Sequence, residues 1–265
     1  MAESLEIMQQ AAEVLVPLSR ELDFDFYFKA SFDKANRSSM DSFRGPGLEA
    51  SLPWFENIKN TYQCKLITDI HESRQALIAG EIFDALQIPA FLCRQTDLLV
   101  SAVSTGKMVN IKKGQFMAPG AMSHIIKKCQ QICHNKNLEL KASITERGVT
   151  FGYGDLIVDP RSFPILAKSN APILFDITHS TQNPPVGSHQ TISGASREYA
   201  PILARSALAT GYLSGFFLET HPQPSHAKSD SSAQLNLNQT SRLLKQIIPL
   251  WHESRGWKEI DSLFT

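Results

Sequence analysis

Residues 24–39, FDFYFKASFDKANRSS, begin as an apolar strand and continue directly into a loop crowded with charged and hydroxyl side chains. Six further apolar runs rich in β-forming residues follow along the chain, at 65–70, 84–92, 108–114, 139–145, 171–178 and 215–220. Helical patterns precede and separate these runs, at 4–20, 47–63, 73–82, 95–105, 119–134, 161–169, 196–211 and 236–252. Strands that alternate with helices predict a parallel sheet covered by helices.

The number of units indicates which parallel fold this is. Seven strands and eight helices, with a helix first, predict an α/β fold of the (β/α)8 TIM-barrel type that lacks its first strand at the N-terminus. A doubly wound open sheet is the alternative, but it usually has fewer units and a glycine-rich first turn, and no GxGxxG occurs here. We expect the natural protein to start upstream of Met1. Since no low-complexity linker interrupts the chain, residues 1–265 are predicted to form a single domain.

Charge and composition exclude several classes of partner. Lysine and arginine total 26, as do aspartate and glutamate, so bulk charge favours neither nucleic acid nor an anionic membrane. The first ten residues, MAESLEIMQQ, are acidic and polar, and no run approaches the ~20 apolar residues of a membrane span. We therefore predict a cytoplasmic protein. The four cysteines form no CxxC pair, which predicts reduced, buried thiols.

Polar side chains collect where the predicted strands end, which is where a barrel enzyme carries its active site. They are Lys29, Ser31 and Lys34; Asp69 and His71; Gln87 and Arg94; Lys112, Lys113 and Gln115; Glu146 and Arg147; Asp176 and His179; Glu219 and His221. Any one of them could be a solvated loop residue. Because all seven strands end in this way, the pattern predicts a functional site.

Cations dominate this collection on an otherwise neutral chain, namely Lys29, Lys34, Arg37, Lys112 and Arg147, with Arg94 nearby. They suit two small anionic substrates that carry phosphate and carboxylate groups. Acid, base and metal-binding capacity comes from a second set, which consists of Asp69, His71, His179, Glu219 and Asp230.

Eight collinear motifs span essentially the whole chain: FKASFDKANRSS (28–39), SFRGPGLE (42–49), ITDIHE (67–72), QIPAFLCRQTDLL (87–99), NIKKGQF (110–116), ERGVTFGYGDLIVD (146–159), FDITHS (175–180) and ETHPQPSHAKSD (219–230). Together they resemble 3-deoxy-D-manno-octulosonate-8-phosphate synthase. The resemblance implies a cytoplasmic (β/α)8 homotetramer that condenses phosphoenolpyruvate with D-arabinose 5-phosphate and water, releases phosphate, and supplies the inner-core sugar of lipopolysaccharide. It implies no organic cofactor, no nucleic acid and no membrane. One departure is SGASRE (193–198), together with the preceding TQNPPVGSHQTI, where the family commonly has SGG and a glycine-rich loop.

The resemblance also implies residue roles. Positions around phosphoenolpyruvate are matched by Lys29, Ser31, Lys34, Gln87, Lys112 and Arg147, with a further substrate contact at His71. Arabinose 5-phosphate is received at Asn36, Arg37 and Ser38, and Arg94 matches a residue that reaches the sugar phosphate of a neighbouring subunit. The implied catalytic residues are Lys34, Asp69, His179 and Asp230.

The same family divides into metal-dependent and metal-independent enzymes. The discriminating residue, a cysteine or an asparagine on strand one, aligns immediately before Met1. The other ligand positions are present as His179, Glu219 and Asp230, and SDSSAQL (229–235) is closer to the form of the metal-dependent members. The resemblance thus favours a divalent zinc, iron, manganese or cobalt ion, with a cysteine in the absent strand as fourth ligand.

Two other functions remain open on the residues alone. One is a different barrel lyase or aldolase for phosphorylated sugars, with a Schiff base at Lys112 or Lys113. The other is a non-catalytic barrel that binds sugar phosphates without turnover.

Overall fold

The computed structural model of the protein describes residues 1–37, 39–152, 154–183 and 194–257. Its α-helices are α1 (Leu5–Glu21), α2 (Leu48–Tyr62), α3 (Ser73–Ile82), α4 (Thr96–Ser104), α5 (Met122–Lys136), α6 (Ser162–Ala167), α7 (Ala200–Leu208) and α8 (Leu237–Ser254). Its strands are β1 (Tyr27–Lys29), β2 (Lys65–Asp69), β3 (Ala85–Ile88), β4 (Met108–Lys112), β5 (Ala142–Glu146), β6 (Ile173–Asp176), β7 (Gln182–Asn183), β8 (Gly194–Ala195) and β9 (Gly215–Phe217). The predicted α/β class is confirmed.

Seven of these strands form one parallel sheet in the order β1-β2-β3-β4-β5-β6-β9. The register aligns the strand ends, since Ile111 of β4 lies opposite Ile144 of β5, and Asp176 of β6 lies opposite Phe217 of β9. Because all seven strands run in the same direction, their carboxyl ends meet along one edge of the sheet. That edge carries the polar residues singled out from the sequence.

Apolar contacts between helices and strands hold this arrangement together. Phe55 of α2 packs edge-to-face on Phe83, which follows α3, with ring centroids 4.6 Å apart, and both side chains are fully buried. Leu66 of β2 and Leu86 of β3 are fully buried in the same core. Truncating such an aromatic side chain to alanine costs about 3–5 kcal/mol, because a cavity is left behind.

The two outer strands of the sheet, β1 and β9, have unpaired outer edges among the described residues, but they approach each other. The Lys29 ammonium at the end of β1 lies 5.6 Å from the ring centroid of Phe217 in β9. The sheet is therefore curled. A cleft of about 1130 Å³ lies between the two edges, and its lining includes Phe28, Phe216 and, from α8, Leu244. Closure into a complete barrel is not seen within the described ranges.

Several observed strand boundaries depart from the predicted ones. Within the sheet, the run predicted over 84–92 is paired only over Ala85–Ile88, and the outer strands are also shorter than predicted. The first strand was predicted over 24–30 but is paired only over Tyr27–Lys29, and Phe24 and Phe26 line the cleft instead. The last was predicted over 215–220 and ends at Phe217. The short antiparallel pair of β7 and β8 was not predicted.

Two further sequence expectations concern membranes and thiols. Within the described ranges, no helix combines the length and the apolar character needed to cross a bilayer. All four cysteines are free, and Cys93, Cys129 and Cys133 are buried as predicted. Burial raises the pKa of Cys129 to about 12, so this thiol stays protonated. The prediction was wrong for Cys64, which is only partly buried.

Candidate active site

Charged residues from five strands of the sheet lie at its carboxyl edge. The final residues of β1, β2, β4, β5 and β6 are Lys29, Asp69, Lys112, Glu146 and Asp176. Beside them lies a cavity of about 180 Å³. The predicted site residues that line it are Lys29, Lys34, Asn36, Asp69, His71, Gln87, Lys112, Arg147, His179 and Glu219. The strand-end pattern therefore includes much of this lining, but some residues of that pattern do not line the cavity, namely Ser31, Arg94, Lys113, Gln115, Glu146, Asp176 and His221.

Asp176 organises the centre of this surface. One of its carboxylate oxygens lies 2.7 Å from Lys112 Nζ and 2.9 Å from His179 Nδ1, and the other accepts the backbone N–H of His179 at 2.8 Å. A carboxylate on Nδ1 leaves Nε2 of His179 free to face the site. The sequence placed Asp176 at a strand end but gave it no role. The spacing of an aspartate three residues before a histidine in FDITHS was the available signal.

Burial sets the charge states of these groups. Burial alone would raise the pKa of Asp176, but His179 and Lys112 hold it well below its usual value. Burial lowers the pKa of Lys112, and the Asp176 carboxylate only partly opposes this effect. The Lys112 ammonium also lies 3.6 Å from the ring centroid of Phe217, which adds a cation–π contact. Lys112 is thus a poorly hydrated cation that an anionic ligand would stabilise.

Arg147 lies on the same side of the site and has spare hydrogen-bonding capacity. Its Nη2 donates to Gln182 Oε1 at 2.6 Å, and Gln182 in turn donates to Asp230 Oδ1 at 3.3 Å. Its Nε is buried with no partner in the described part of the chain. Burial lowers the pKa of the guanidinium. A buried N–H without an acceptor is costly, so this group favours a bound anion. Gln182 was not predicted, since nothing in the sequence marks it.

A second carboxylate, Asp69, serves the other wall of the cavity. Its Oδ1 lies 3.2 Å from Lys29 Nζ, and its Oδ2 lies 3.2 Å from His71 Nε2. Lys29 also donates to Ser31 Oγ at 2.7 Å. Burial opposes ionisation of Asp69, yet Lys29 and His71 hold its pKa well below the usual range. Asp69 is therefore an ionised acceptor that orients the side chains of Lys29 and His71.

His179, Glu219 and Asp230 form a cluster that could hold a metal ion, since one ligand atom from each lies within 4.8 Å of the others. Glu219 Oε2 is buried without a hydrogen-bond partner among the described residues, and one imidazole nitrogen with two carboxylates suits zinc, iron, cobalt or manganese. Lys34 lies between the carboxylates, 3.8 Å from Glu219 and 3.2 Å from Asp230. Although burial favours neutral Lys34, Glu219 and Asp230 raise its pKa above the usual value. The donor set fits a divalent cation.

The sequence alone predicted an excess of positive charge, but the structure pairs each site lysine with a carboxylate. Lys29 faces Asp69, Lys34 faces Asp230, and Lys112 faces Asp176. Arg147 makes no ion pair with a carboxylate in the ranges that the structure describes. The physical reason is that several unpaired cations cannot be buried together without a large loss of hydration energy.

The residues expected to receive a sugar phosphate are less well assembled. Arg37 donates to the backbone carbonyls of Lys228 at 2.7 Å and Phe43 at 3.2 Å, and it does not line the cavity. Asn36 lines the cavity but is exposed. Arg94 is exposed and lies outside the cavity lining. Ser38 lies outside the described residues, as does most of the loop that departs from the family pattern.

Comparison with known proteins shows the family to which the chain belongs. The model of the DAHP synthetase I family matches residues 1–252. The chain belongs to this family. It is 47% identical over 251 residues to a 2-dehydro-3-deoxyphosphooctonate aldolase of Helicobacter hepaticus, covering 92% of each protein. It is 43% identical over 260 residues to that of Acinetobacter baumannii strain SDF, covering 98% of this chain and 88% of the relative.

A third member of the family, from Rhodopseudomonas palustris strain TIE-1, carries the same name. It is 48% identical over 240 residues, which is 90% of this chain and 81% of the relative. The name 2-dehydro-3-deoxyphosphooctonate aldolase is an alternative name for 3-deoxy-D-manno-octulosonate-8-phosphate synthase, which the eight sequence motifs resemble. The resemblance deduced from those motifs is therefore confirmed.

Proposed function

We propose that the protein condenses phosphoenolpyruvate with D-arabinose 5-phosphate and water, giving 3-deoxy-D-manno-octulosonate 8-phosphate and inorganic phosphate. In this reaction C3 of the enol bonds to the aldehyde carbon, water adds to C2, and the bond from C2 to the phosphate oxygen breaks. The observation that carries the proposal is the pair of buried cations, Lys112 and Arg147, at adjacent strand ends in a chain whose relatives have this name.

We assign the phosphate and carboxylate of phosphoenolpyruvate to the strand-end cations. Lys112 and Arg147 provide poorly hydrated positive charge, and Lys29 with Ser31 and Gln87 complete the wall. The low local dielectric makes each charge-assisted hydrogen bond stronger than in water. Arabinose 5-phosphate is assigned to residues 36–38 and His71. Cations between the two substrates offset the repulsion between their phosphates.

The groups with acid or base capacity are assigned to the chemical step. Lys34 stays protonated because its pKa is raised, so we assign it the stabilisation of negative charge on the aldehyde oxygen. Asp69, His179 and Asp230 are assigned to orienting the attacking water and accepting its proton. Each of these four residues is within ion-pair or hydrogen-bond distance of another member of the site.

We further propose that His179, Glu219 and Asp230 hold a divalent zinc, iron, manganese or cobalt ion, and that no organic cofactor takes part. Such an ion supplies Lewis-acid chemistry, polarising the aldehyde or a water molecule. The test is elemental analysis of the purified protein with chelator treatment. Loss of activity in EDTA that manganese restores supports the proposal. Full activity in EDTA, with no bound metal, contradicts it.

The finer architecture is also a proposal. A curled sheet with a cleft of about 1130 Å³ between β9 and β1 supports a (β/α)8 barrel in which one strand position, in that cleft, is vacant in this chain. One sheet that contains every parallel strand supports a single domain over residues 1–265. We also propose a homotetramer in which Arg94 reaches a neighbouring site; the exposed side chains of Phe91 and Phe116 support a subunit contact on this face but not a particular number of subunits. The cytoplasmic location stays a prediction.

The direct experiment is an assay of phosphate release with each substrate alone and with both. Phosphate released only when phosphoenolpyruvate and arabinose 5-phosphate are both present supports the condensation. A substrate adduct on Lys112 or Lys113 after borohydride reduction would instead indicate a Schiff-base aldolase. Binding of both substrates by calorimetry without phosphate release would indicate a non-catalytic protein.

A further inference from the structure

A second buried ion pair lies directly behind the two cations of the site. Lys113 directly follows Lys112 in the chain, and Glu146 directly precedes Arg147. Neither Lys113 nor Glu146 lines the cavity. Lys113 Nζ lies 3.2 Å from Glu146 Oε1, and their side chains are 0% and 2% exposed. A fully buried ion pair is expensive to desolvate, and the roles proposed above do not use this one.

Glu146 fixes the turn that carries Arg147. Its Oε1 accepts the backbone N–H of Arg147 at 2.8 Å and that of Gly148 at 2.6 Å. Gly148 has a φ of +91°, and a Cβ there would lie 3.1 Å from the carbonyl oxygen of Ile157. The turn therefore has little freedom to adopt another shape. The Glu146 carboxylate therefore sets the direction in which the Arg147 side chain leaves the backbone.

Lys113 connects the loop after β4 to the loop after β5. Its ammonium donates to the carbonyls of Gly114 and Met117 at 3.3 Å each, and across to that of Gly148 at 3.4 Å. The backbone N–H of Thr150 adds a bond to the Gln115 carbonyl at 3.0 Å. One buried ion pair thus holds both loops in a fixed relation.

We propose that Lys113 and Glu146 act as positioning residues, which hold Arg147 at the distance from Lys112 that one doubly anionic ligand requires. This inference rests on the proposed function in one respect, that the ligand is phosphoenolpyruvate. Neither residue touches the substrate. Their effect should therefore appear in the affinity for phosphoenolpyruvate and not in the affinity for the sugar phosphate.

The test uses the double variant Lys113→Met with Glu146→Gln. Removing one partner alone would leave a buried charge and unfold the protein, whereas the double variant removes both charges at nearly constant volume. Glutamine keeps an oxygen that can accept from the two backbone N–H groups. We expect a folded protein whose KM for phosphoenolpyruvate rises about tenfold or more, with kcat and the KM for arabinose 5-phosphate within about threefold.

A matched control lies at the opposite end of the sheet. Lys59 donates to the Ile82 carbonyl at 2.9 Å and lies 3.0 Å from Asp84 Oδ2, which accepts the backbone N–H of Leu66 at 2.8 Å. This pair has a similar arrangement of lysine, carboxylate and backbone, but its side chains are 38% and 33% exposed and it does not line the cavity. The double variant Lys59→Met with Asp84→Asn should shift Tm and leave both KM values unchanged.

Binding measurements separate this inference from the proposed reaction. Calorimetry with phosphoenolpyruvate and with inorganic phosphate should show both binding to the wild type and both weakened by the Lys113/Glu146 double variant. Binding without turnover in the wild type would reject the reaction but leave the positioning role supported by the loss of affinity. A folded double variant with wild-type affinity for both anions, an equal rise in both KM values, or a wild type that binds neither anion would overturn the inference.

Discussion

The two halves of the candidate site differ in how they are held. The strand-end half, Lys112 and Arg147 with Asp176, is buried, with Lys112 6% and Arg147 8% exposed. The loop half after β1 is open, since Asn36 is exposed and, within the described residues, the Arg37 side chain donates to the backbone carbonyls of Phe43 and Lys228. The parallel ladder of strands therefore fixes the positions of the strand-end groups, whereas the loop groups need a ligand or further protein to complete their binding site.

The ladder explains why the first half is rigid. Lys112 ends β4 directly opposite Thr145 of β5, and Asp176 ends β6 opposite Phe217 of β9. Backbone pairing therefore sets the spacing between these groups before any ligand binds. Loops lack this constraint and are positioned by fewer contacts. Preset charges lower the cost of organising the transition state.

The largest effect should come from Lys112→Ala and Arg147→Ala. Each leaves a desolvated anion short of a charged partner, so transition-state stabilisation should fall by about 2–4 kcal/mol, a roughly 30- to 1,000-fold loss in kcat/KM for phosphoenolpyruvate. Steady-state kinetics with Lys127→Ala as a control on the exposed face of α5 provides the check. Losses below threefold in folded variants would show that the buried cations do not hold this substrate.

Asp176→Asn should have the next largest effect. The asparagine keeps the shape but loses the charge that orients Lys112 and His179, so kcat/KM should fall about 10- to 100-fold. Asp176 does not itself line the cavity, but it orients two residues that do, Lys112 and His179, so the fall should affect both substrates. A variant with normal kinetics would show that the strand-end half is not organised by this carboxylate.

Arg37→Ala should have a smaller effect, and a different one. We expect the KM for arabinose 5-phosphate to rise about tenfold, since one exposed charge contact is lost, with little change for phosphoenolpyruvate. Arg74→Ala, an exposed arginine on α3, is the control. An increase confined to the KM for phosphoenolpyruvate would remove the distinction between the two halves.

Acidification between pH 7 and 5 should have the smallest effect. Asp69, Asp176 and Glu219 have folded pKa values below their usual ones, so their contribution to stability is complete above about pH 4–5 and is lost as pH falls through the folded values. Urea unfolding should therefore give nearly constant free energies from these groups at pH 7 and 5, and lower ones below pH 4. In Asp176→Asn the loss below pH 4 should be smaller. An equal loss of unfolding free energy in Asp176→Asn and in the wild type would contradict the lowered pKa of Asp176.

Much of the fold and part of the candidate site could be predicted from the sequence. The alternation of apolar and helical patterns predicted a parallel sheet of seven strands. The polar residues at the strand ends include most of the polar residues that line the cavity, because parallel strands place those positions at one edge. The pairing of cations with carboxylates was not visible, since Lys34 and Asp230 are 196 positions apart. Gln182 and the role of Asp176 depend on contacts between different strands. The ends of β1 and β9 could not be predicted because they depend on a neighbour at the cleft.

In the proposed reaction, water attacks carbon C2 of phosphoenolpyruvate while C3 attacks the sugar aldehyde. The most direct measurement is the mass of the phosphate released in water enriched in oxygen-18, with both substrates present. Attack at carbon leaves the original bridging oxygen on phosphorus, so we expect the released phosphate to be unlabelled, and no phosphate to be released without arabinose 5-phosphate. Phosphate that carries one oxygen-18 atom would show hydrolysis at phosphorus and contradict the condensation.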